Sequence, residues 1–230
     1  MPAPNKGRRF PAEVLSTAEC SALLGACGRG FAGVRNRALY ALLWRSGLRI
    51  SEALALRTVD VDLALGTVQI AHGKGDRRRV VGIDALAGGL VELWLHDRRW
   101  LGIRTQLLFT TISAPAPGRP LQSSCVRESL RLAAKKAGIA KRVHPHGLRH
   151  THAAELAREG VPIHVIRRQL GHASLDTTAR YVEHLEPLEV VRAIQARQIP
   201  NHLSDLPMLH GGPPIQASGA AAASADAAEP

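Results

Sequence analysis

His146-Gly147-Leu148-Arg149-His150, then Leu170-Gly171-His172, then Thr177-Thr178-Ala179-Arg180-Tyr181-Val182-Glu183-His184: residues 146–184 decide how this chain is read. Tyr181 is one of only two tyrosines in the sequence. A phenol, imidazoles and guanidiniums in one short region point to chemistry on a phosphate. Arginine presents a planar donor fork that fits phosphate oxygens, and histidine donates or shuttles protons near neutral pH. A phenol can attack phosphorus and hold it covalently. The other tyrosine, Tyr40, lies among Leu39, Leu42 and Leu43 and reads as a core residue.

Working outward, helical and strand signals alternate in a way that predicts an α+β fold, mostly α-helical with a small antiparallel sheet. A helix is expected from Ser16 to about Gly28, capped by Ser16 or Thr17 with Glu19 in its first turn. A stronger one spans Val34 to Ser46, with Val34, Ala38, Leu39, Leu42 and Leu43 as an apolar stripe and Gly47 as terminator. Another follows Ser51. From Thr67 to Ile83 the period changes to two around Gly73-Lys74-Gly75-Asp76, which predicts a β-hairpin with Lys74 at its tip. Helices are expected from Asp84 to about Trp100, with Leu86, Leu90, Leu93 and Leu95 as apolar residues, and from Ser123 to Ala137. Three more run from Gly147 to Glu159, from Pro162 to Gly171, and from Asp176 or Thr177 through Tyr181. Pro187 begins a last helix to about Gln198. Residues 111–120 read as a loop, and the Ala/Pro/Gly-rich residues 200–230 as a disordered tail.

The chain has 230 residues, 45% of them hydrophobic, and a net charge of +11. The last 31 residues hold Asp205, Asp226 and Glu229 and no Lys or Arg, so residues 1–199 carry +14. Such an excess favours a polyanionic partner, nucleic acid before an anionic membrane surface. Cys20, Cys27 and Cys125 have no metal-ligand spacing, and their odd number without a secretory signal fits a cytoplasmic, nucleoid-associated protein. No apolar run approaches the roughly 20 residues that cross a membrane. His146 and His150 have the i, i+4 spacing of zinc proteases, but no Glu follows His146 and no Cys pair completes a site, so no metal and no cofactor is expected.

Six separated elements together resemble the catalytic domain of the tyrosine recombinases, the phage-integrase family that includes the bacterial chromosome-dimer-resolving recombinases. These are Gly47-Leu48-Arg49-Ile50-Ser51-Glu52, Gly73-Lys74-Gly75, His146 with Arg149 and His150, Leu170-Gly171-His172, the pair Thr177-Thr178, and Tyr181 to His184. They occur in the family's order and cover about residues 14–197. The resemblance implies Arg49, Lys74, His146, Arg149, His172 and Tyr181 as catalytic residues. Arg49 and Arg149 would clamp the phosphate oxygens and His172 would add a hydrogen bond. His146 would serve as general base and Lys74 as general acid. Glu52 and His150 would support them, and His184 would stabilise the helix after the nucleophile. Arg77, Arg78 and Arg79, with Lys6, Arg8 and Arg9, are expected to face DNA.

The function this implies is site-specific cutting and rejoining of double-stranded DNA, in integration or recombination, through a 3′-phosphotyrosyl intermediate without metal or ATP. Residues 14–199 form the expected catalytic domain. Residues 1–13 read as a basic arm or linker remnant, too few for the separate helical DNA-binding domain that precedes it in full-length members. That shortfall leaves open a DNA-binding remnant or regulator without independent recombination. A topoisomerase-like relaxation by the same chemistry also stays open. The resemblance further implies a homo-tetramer on DNA, or a hetero-tetramer with another recombinase, joined through the helix 187–198.

Overall fold

Every residue from Ala38 to Trp44 is buried, so the stripe expected of this helix has become a face buried all round. A computed structural model describes residues 13–71, 78–113 and 117–171. In it this helix, α2 (Phe31–Arg45), runs through the middle of the core. Fully burying side chains such as Leu39, Leu42 and Leu43 is worth roughly 1.5–3 kcal/mol each. Tyr40 is buried beside them, its hydroxyl 2.7 Å from Ser129 Oγ. Gly33 explains why α2 starts three residues earlier than its apolar pattern suggests: a Cβ there would meet Gly28 O at 1.7 Å, so only glycine lets the first turn close against the preceding loop.

Helix α1 (Thr17–Ala26) opens with a reciprocal cap. Ser16 Oγ accepts from the Glu19 N–H at 3.1 Å, and Glu19 Oε2 accepts from the Ser16 N–H at 2.7 Å. Lys141 then ties Glu19 to the far side of the chain at 2.7 Å. Helix α3 (Ile50–Ala55) follows α2 after a turn in which Gly47 takes φ +64°. A 3-10 turn at Thr58–Asp60 leads into β1 (Val61–Asp62), β2 (Thr67–Ile70) and β3 (Arg79–Gly82). The sheet is antiparallel in the order β1-β2-β3, with Val61 opposite Val68 and Val68 opposite Val81. The expected hairpin is therefore present as β2 and β3, although residues 72–77 at its tip, Lys74 among them, lie outside the described residues. Strand β1 was not expected, since two residues are too short to show a period.

Helix α4 (Ala85–Trp100) has the expected bounds, and its leucines divide between core and surface, Leu90 and Leu95 packing inward. Its buried side is Ala87, Val91, Trp94 and Arg98, while Leu86 and Leu93 are 47% and 56% exposed. Small residues at 87 and 91 let α4 approach α2 closely, and Trp94 fills the remaining space and donates to Leu108 O at 2.8 Å. Helix α5 (Ser123–Lys136) buries Val126 and Leu130 and leaves Arg127, Glu128 and Arg131 exposed on its other face. Helix α6 (Pro145–Arg158) starts two residues before Gly147, because His144 acts as its cap: Nδ1 accepts from the Gly147 N–H at 3.0 Å, and Pro145 takes the first helical position. Helix α7 (Ile163–Leu170) ends where expected, at Gly171 in the left-handed region. The expected arm, the helices carrying Tyr181 and spanning 187–198, and the tail lie outside the described residues.

Candidate active site

The site forms where the α2–α3 turn, the start of α6 and the end of α7 meet. Arg149, on α6, is only 1% exposed. Its Nη1 donates to Gly47 O at 2.5 Å and its Nη2 to Leu170 O at 2.6 Å. One guanidinium thus joins two backbone turns that are far apart in sequence, and each turn leads directly into an expected site residue: Gly47 into Leu48-Arg49, Leu170 into Gly171-His172. Arg49 caps the start of α3 and reaches the next carbonyl along, Gly171 O, from Nη2 at 3.4 Å. The two arginines therefore bond to consecutive carbonyls at the end of α7, which sets their cationic heads side by side.

Glu52 holds Arg49 there. Its carboxylate accepts from the Arg49 backbone N–H at 2.9 Å on Oε2 and from Arg49 Nη1 at 2.8 Å on Oε1. Arg79 donates to the same carboxylate, Nη1 to Oε1 and Nη2 to Oε2, both at 2.9 Å. Burial pushes the Glu52 carboxyl upward, but Arg79, the Arg49 N–H and the Arg49 guanidinium outweigh it and hold the group at about 2. It is fully ionised at neutral pH.

His146, in the first turn of α6, stands at the surface with its ring edge-on to His150, centroids 4.1 Å apart. The protein packed about its ring, then Arg149, His144 and Arg49, push its pKa below the usual 6.5. A neutral imidazole beside two guanidiniums can accept a proton, which a protonated one cannot.

Of the sequence-predicted residues, the structure brings together Arg49, Glu52, His146, Arg149 and His150. Lys6, Arg8, Arg9, Lys74, Arg77, His172, Tyr181 and His184 lie outside the described residues. Arg78 is exposed, beside a groove of about 300 Å³ that Arg57, Gln69 and Glu52 also line. Arg79 was grouped with it as a DNA-facing edge, but its side chain is only 14% exposed and turned onto Glu52. Strand parity carried the signal: Val81 is buried and Val80 is exposed, so Arg79 shares the inward face with Val81. Gln169 was also missed. Its amide accepts from the Gly82 N–H at 3.1 Å and donates to Gly82 O at 2.9 Å and to Ser46 O at 3.3 Å, clasping β3 and the end of α2 to α7. Among the described residues, no group of three His, Cys, Asp or Glu side chains is placed to hold a metal ion. None of the described helices is long and apolar enough to cross a membrane.

A model of the phage integrase family matches residues 13–187. The chain belongs to the phage integrase family. It is 36% identical over 156 residues to tyrosine recombinase XerC of Halalkalibacterium halodurans, covering 64% of this chain and 50% of that protein. It is likewise 36% identical over 171 residues to tyrosine recombinase XerD of Ralstonia nicotianae, covering 73% of this chain and 54% of the relative. The chain therefore spans about half the length of these curated relatives. Among solved structures, the XerA recombinase superposes with a TM-score of 0.68 at 29% identity, over 81% of this chain and 66% of that one. The XerH recombinase bound to a palindromic difH substrate after cleavage gives 0.67 at 26% identity, over 81% and 54%. The mostly helical fold with its small antiparallel sheet is that of the tyrosine recombinase catalytic domain.

Proposed function

We propose that this chain is a site-specific recombinase that cuts and rejoins double-stranded DNA through a 3′-phosphotyrosyl bond on Tyr181, and that residues 14–199 are its catalytic domain. The observation that carries the reading is the meeting of Arg49 and Arg149 at the Leu170-Gly171 turn, immediately before His172, with His146 near enough to feel both charges. Two guanidiniums there suit a phosphodiester, whose negative charge grows on the non-bridging oxygens as a nucleophile adds. Charge stabilisation by arginine supplies what a metal ion supplies elsewhere, so the proposed reaction uses none.

In this reading the Tyr181 hydroxyl attacks phosphorus. A phenol with a pKa near 10 is only about one part in a thousand ionised at pH 7, so its proton passes to neutral His146. The bond from phosphorus to the 5′-oxygen breaks as Lys74 protonates the departing oxygen. The bond energy stays in the phosphotyrosine, and a 5′-hydroxyl of a second duplex reverses the step without ATP. Arg78, Arg77 and the basic residues Lys6, Arg8 and Arg9 hold the flanking backbone. The segment 187–198 joins protomers into a tetramer on DNA.

The test is to incubate the chain with sheared chromosomal DNA of its source, denature with detergent and sequence the fragments that remain linked to protein. Linked fragments sharing one sequence are expected, and none with Tyr181→Phe. Linked fragments with no shared sequence would replace recombination by general strand relaxation. Absence of any adduct with the unmodified chain would refute the reading.

A further inference from the structure

Arg79, expected to face DNA, is instead turned into the site. It is the first residue of β3, and both its terminal nitrogens are spent on Glu52 rather than turned outward. Together with Arg49 it places four hydrogen bonds on one carboxylate, which fills the four acceptor positions that two carboxylate oxygens offer. The side chain also packs closely beside Gly171: a Cβ there would stand 2.7 Å from Arg79 Nε and 2.8 Å from Cζ. Gly171 in turn accepts from Arg49. Arg79 thus bonds to the carboxylate that anchors Arg49 and packs beside Gly171, the residue whose carbonyl Arg49 reaches, without bonding to Arg49.

The charges explain why this matters. Arg49 and Glu52 alone sum to zero, and a carboxylate 2.8 Å behind a guanidinium cancels most of the field that guanidinium could direct at a phosphate. With Arg79 present the group sums to +1, and the rigid fork of a second arginine fixes the plane of the carboxylate. We propose that Arg79 is a positioning residue: by sharing Glu52 it offsets the carboxylate's charge and frees that of Arg49 for the scissile phosphate. The proposal rests on the recombinase reading above for the identity of the phosphate, but not for the Arg79–Glu52–Arg49 arrangement.

Two measurements separate these layers. The first uses the duplex recovered in the adduct experiment, made with either a normal phosphodiester or an uncharged methylphosphonate at the cut. Arg79→Met is expected to slow adduct formation on the phosphodiester by at least about tenfold, as loss of electrostatic stabilisation does, and much less on the methylphosphonate. Arg79→Lys should recover most of the rate. Arg79→Met combined with Glu52→Gln should be faster than Arg79→Met alone, because removing the carboxylate restores the +1 charge. A double variant slower than the single, with equal losses on both substrates, overturns the proposal and leaves the recombinase reading intact. The second measurement is the titration of the Glu52 carboxyl by carbon NMR in the chain without DNA. Arg79→Met should raise it and Arg79→Lys should largely restore it. An unmoved Glu52 titration overturns the arrangement even where no adduct forms at all.

Discussion

Replacing Glu52 by Gln keeps the side chain's shape and removes the charge on which four donors converge. In the folded protein this carboxyl titrates at about 2, against an ordinary 4.5, because hydrogen bonds from Arg79 and Arg49 overcome the opposing effect of burial. At about 1.4 kcal/mol for each tenfold change in proton affinity, that drop contributes about 3 kcal/mol of stability at pH 7. The folded value lies below the unfolded one, so the contribution is complete above pH 4.5 and is lost as the pH falls toward 2. At pH 3 about 1.5 kcal/mol should remain. The assay is urea unfolding followed by the fluorescence of the buried Trp44 and Trp94, at pH 7 and at pH 3. Glu52→Gln is expected to be less stable than the unmodified chain by about 3 kcal/mol at pH 7 and by about half that at pH 3. Other groups that titrate in this range act on both proteins and drop out of the difference. A gap of equal size at both pH values, or no gap, refutes the reasoning.

Arg149→Met should strip the donors from two carbonyls, Gly47 O and Leu170 O, beneath a residue that is 1% exposed. At roughly 1–3 kcal/mol per buried unpaired group, urea unfolding should show a loss of about 2–6 kcal/mol, together with loss of the covalent DNA adduct. His152 is 4% exposed, and burial, then Arg45 and Arg149, hold it at about 4. It is neutral in the fold and takes up a proton near 6.5 once unfolded, so stability should fall by about 3 kcal/mol as the pH drops from 6.5 to 4. His152→Gln should flatten that part of the stability profile.

Much of the fold was legible because it rests on local signals. The Ser16–Glu19 cap, the glycine stops at 47 and 171, and the change of period at Thr67 all act within a few residues of chain, and each appears where the sequence placed it. The buried face of α4 was not legible, because its four leucines divide: Leu90 and Leu95 pack against the core while Leu86 and Leu93 are exposed, and the surface that meets α2 is small at Ala87 and Val91 and large at Trp94. Hydrophobicity marked α4 as a packed helix, and only volume matching against its neighbour selected the side. The start of α6 was misread for the opposite reason: the His144 cap is a local device, but histidine is outside the Ser, Thr, Asp and Asn set by which a helix start is usually read.

By itself, the sequence determined which side chains are candidates for the chemistry and the order of the motifs that bear them. The motif around Arg49, the Gly-Lys-Gly turn, the His-Arg-His run, the Leu-Gly-His run and Tyr181 are properties of residue identity and short spacing. Tertiary structure alone decided who partners whom. Arg79 reaches Glu52 across 27 residues of chain, Gln169 reaches Gly82 across 87 and Ser46 across 123, and Arg149 reaches Gly47 across 102. Such contacts depend on which surfaces are left facing one another after the helices pack around α2. The same arginine reads as a DNA contact in a basic run and becomes the counter-charge of a buried carboxylate once strand β3 is laid beside α3.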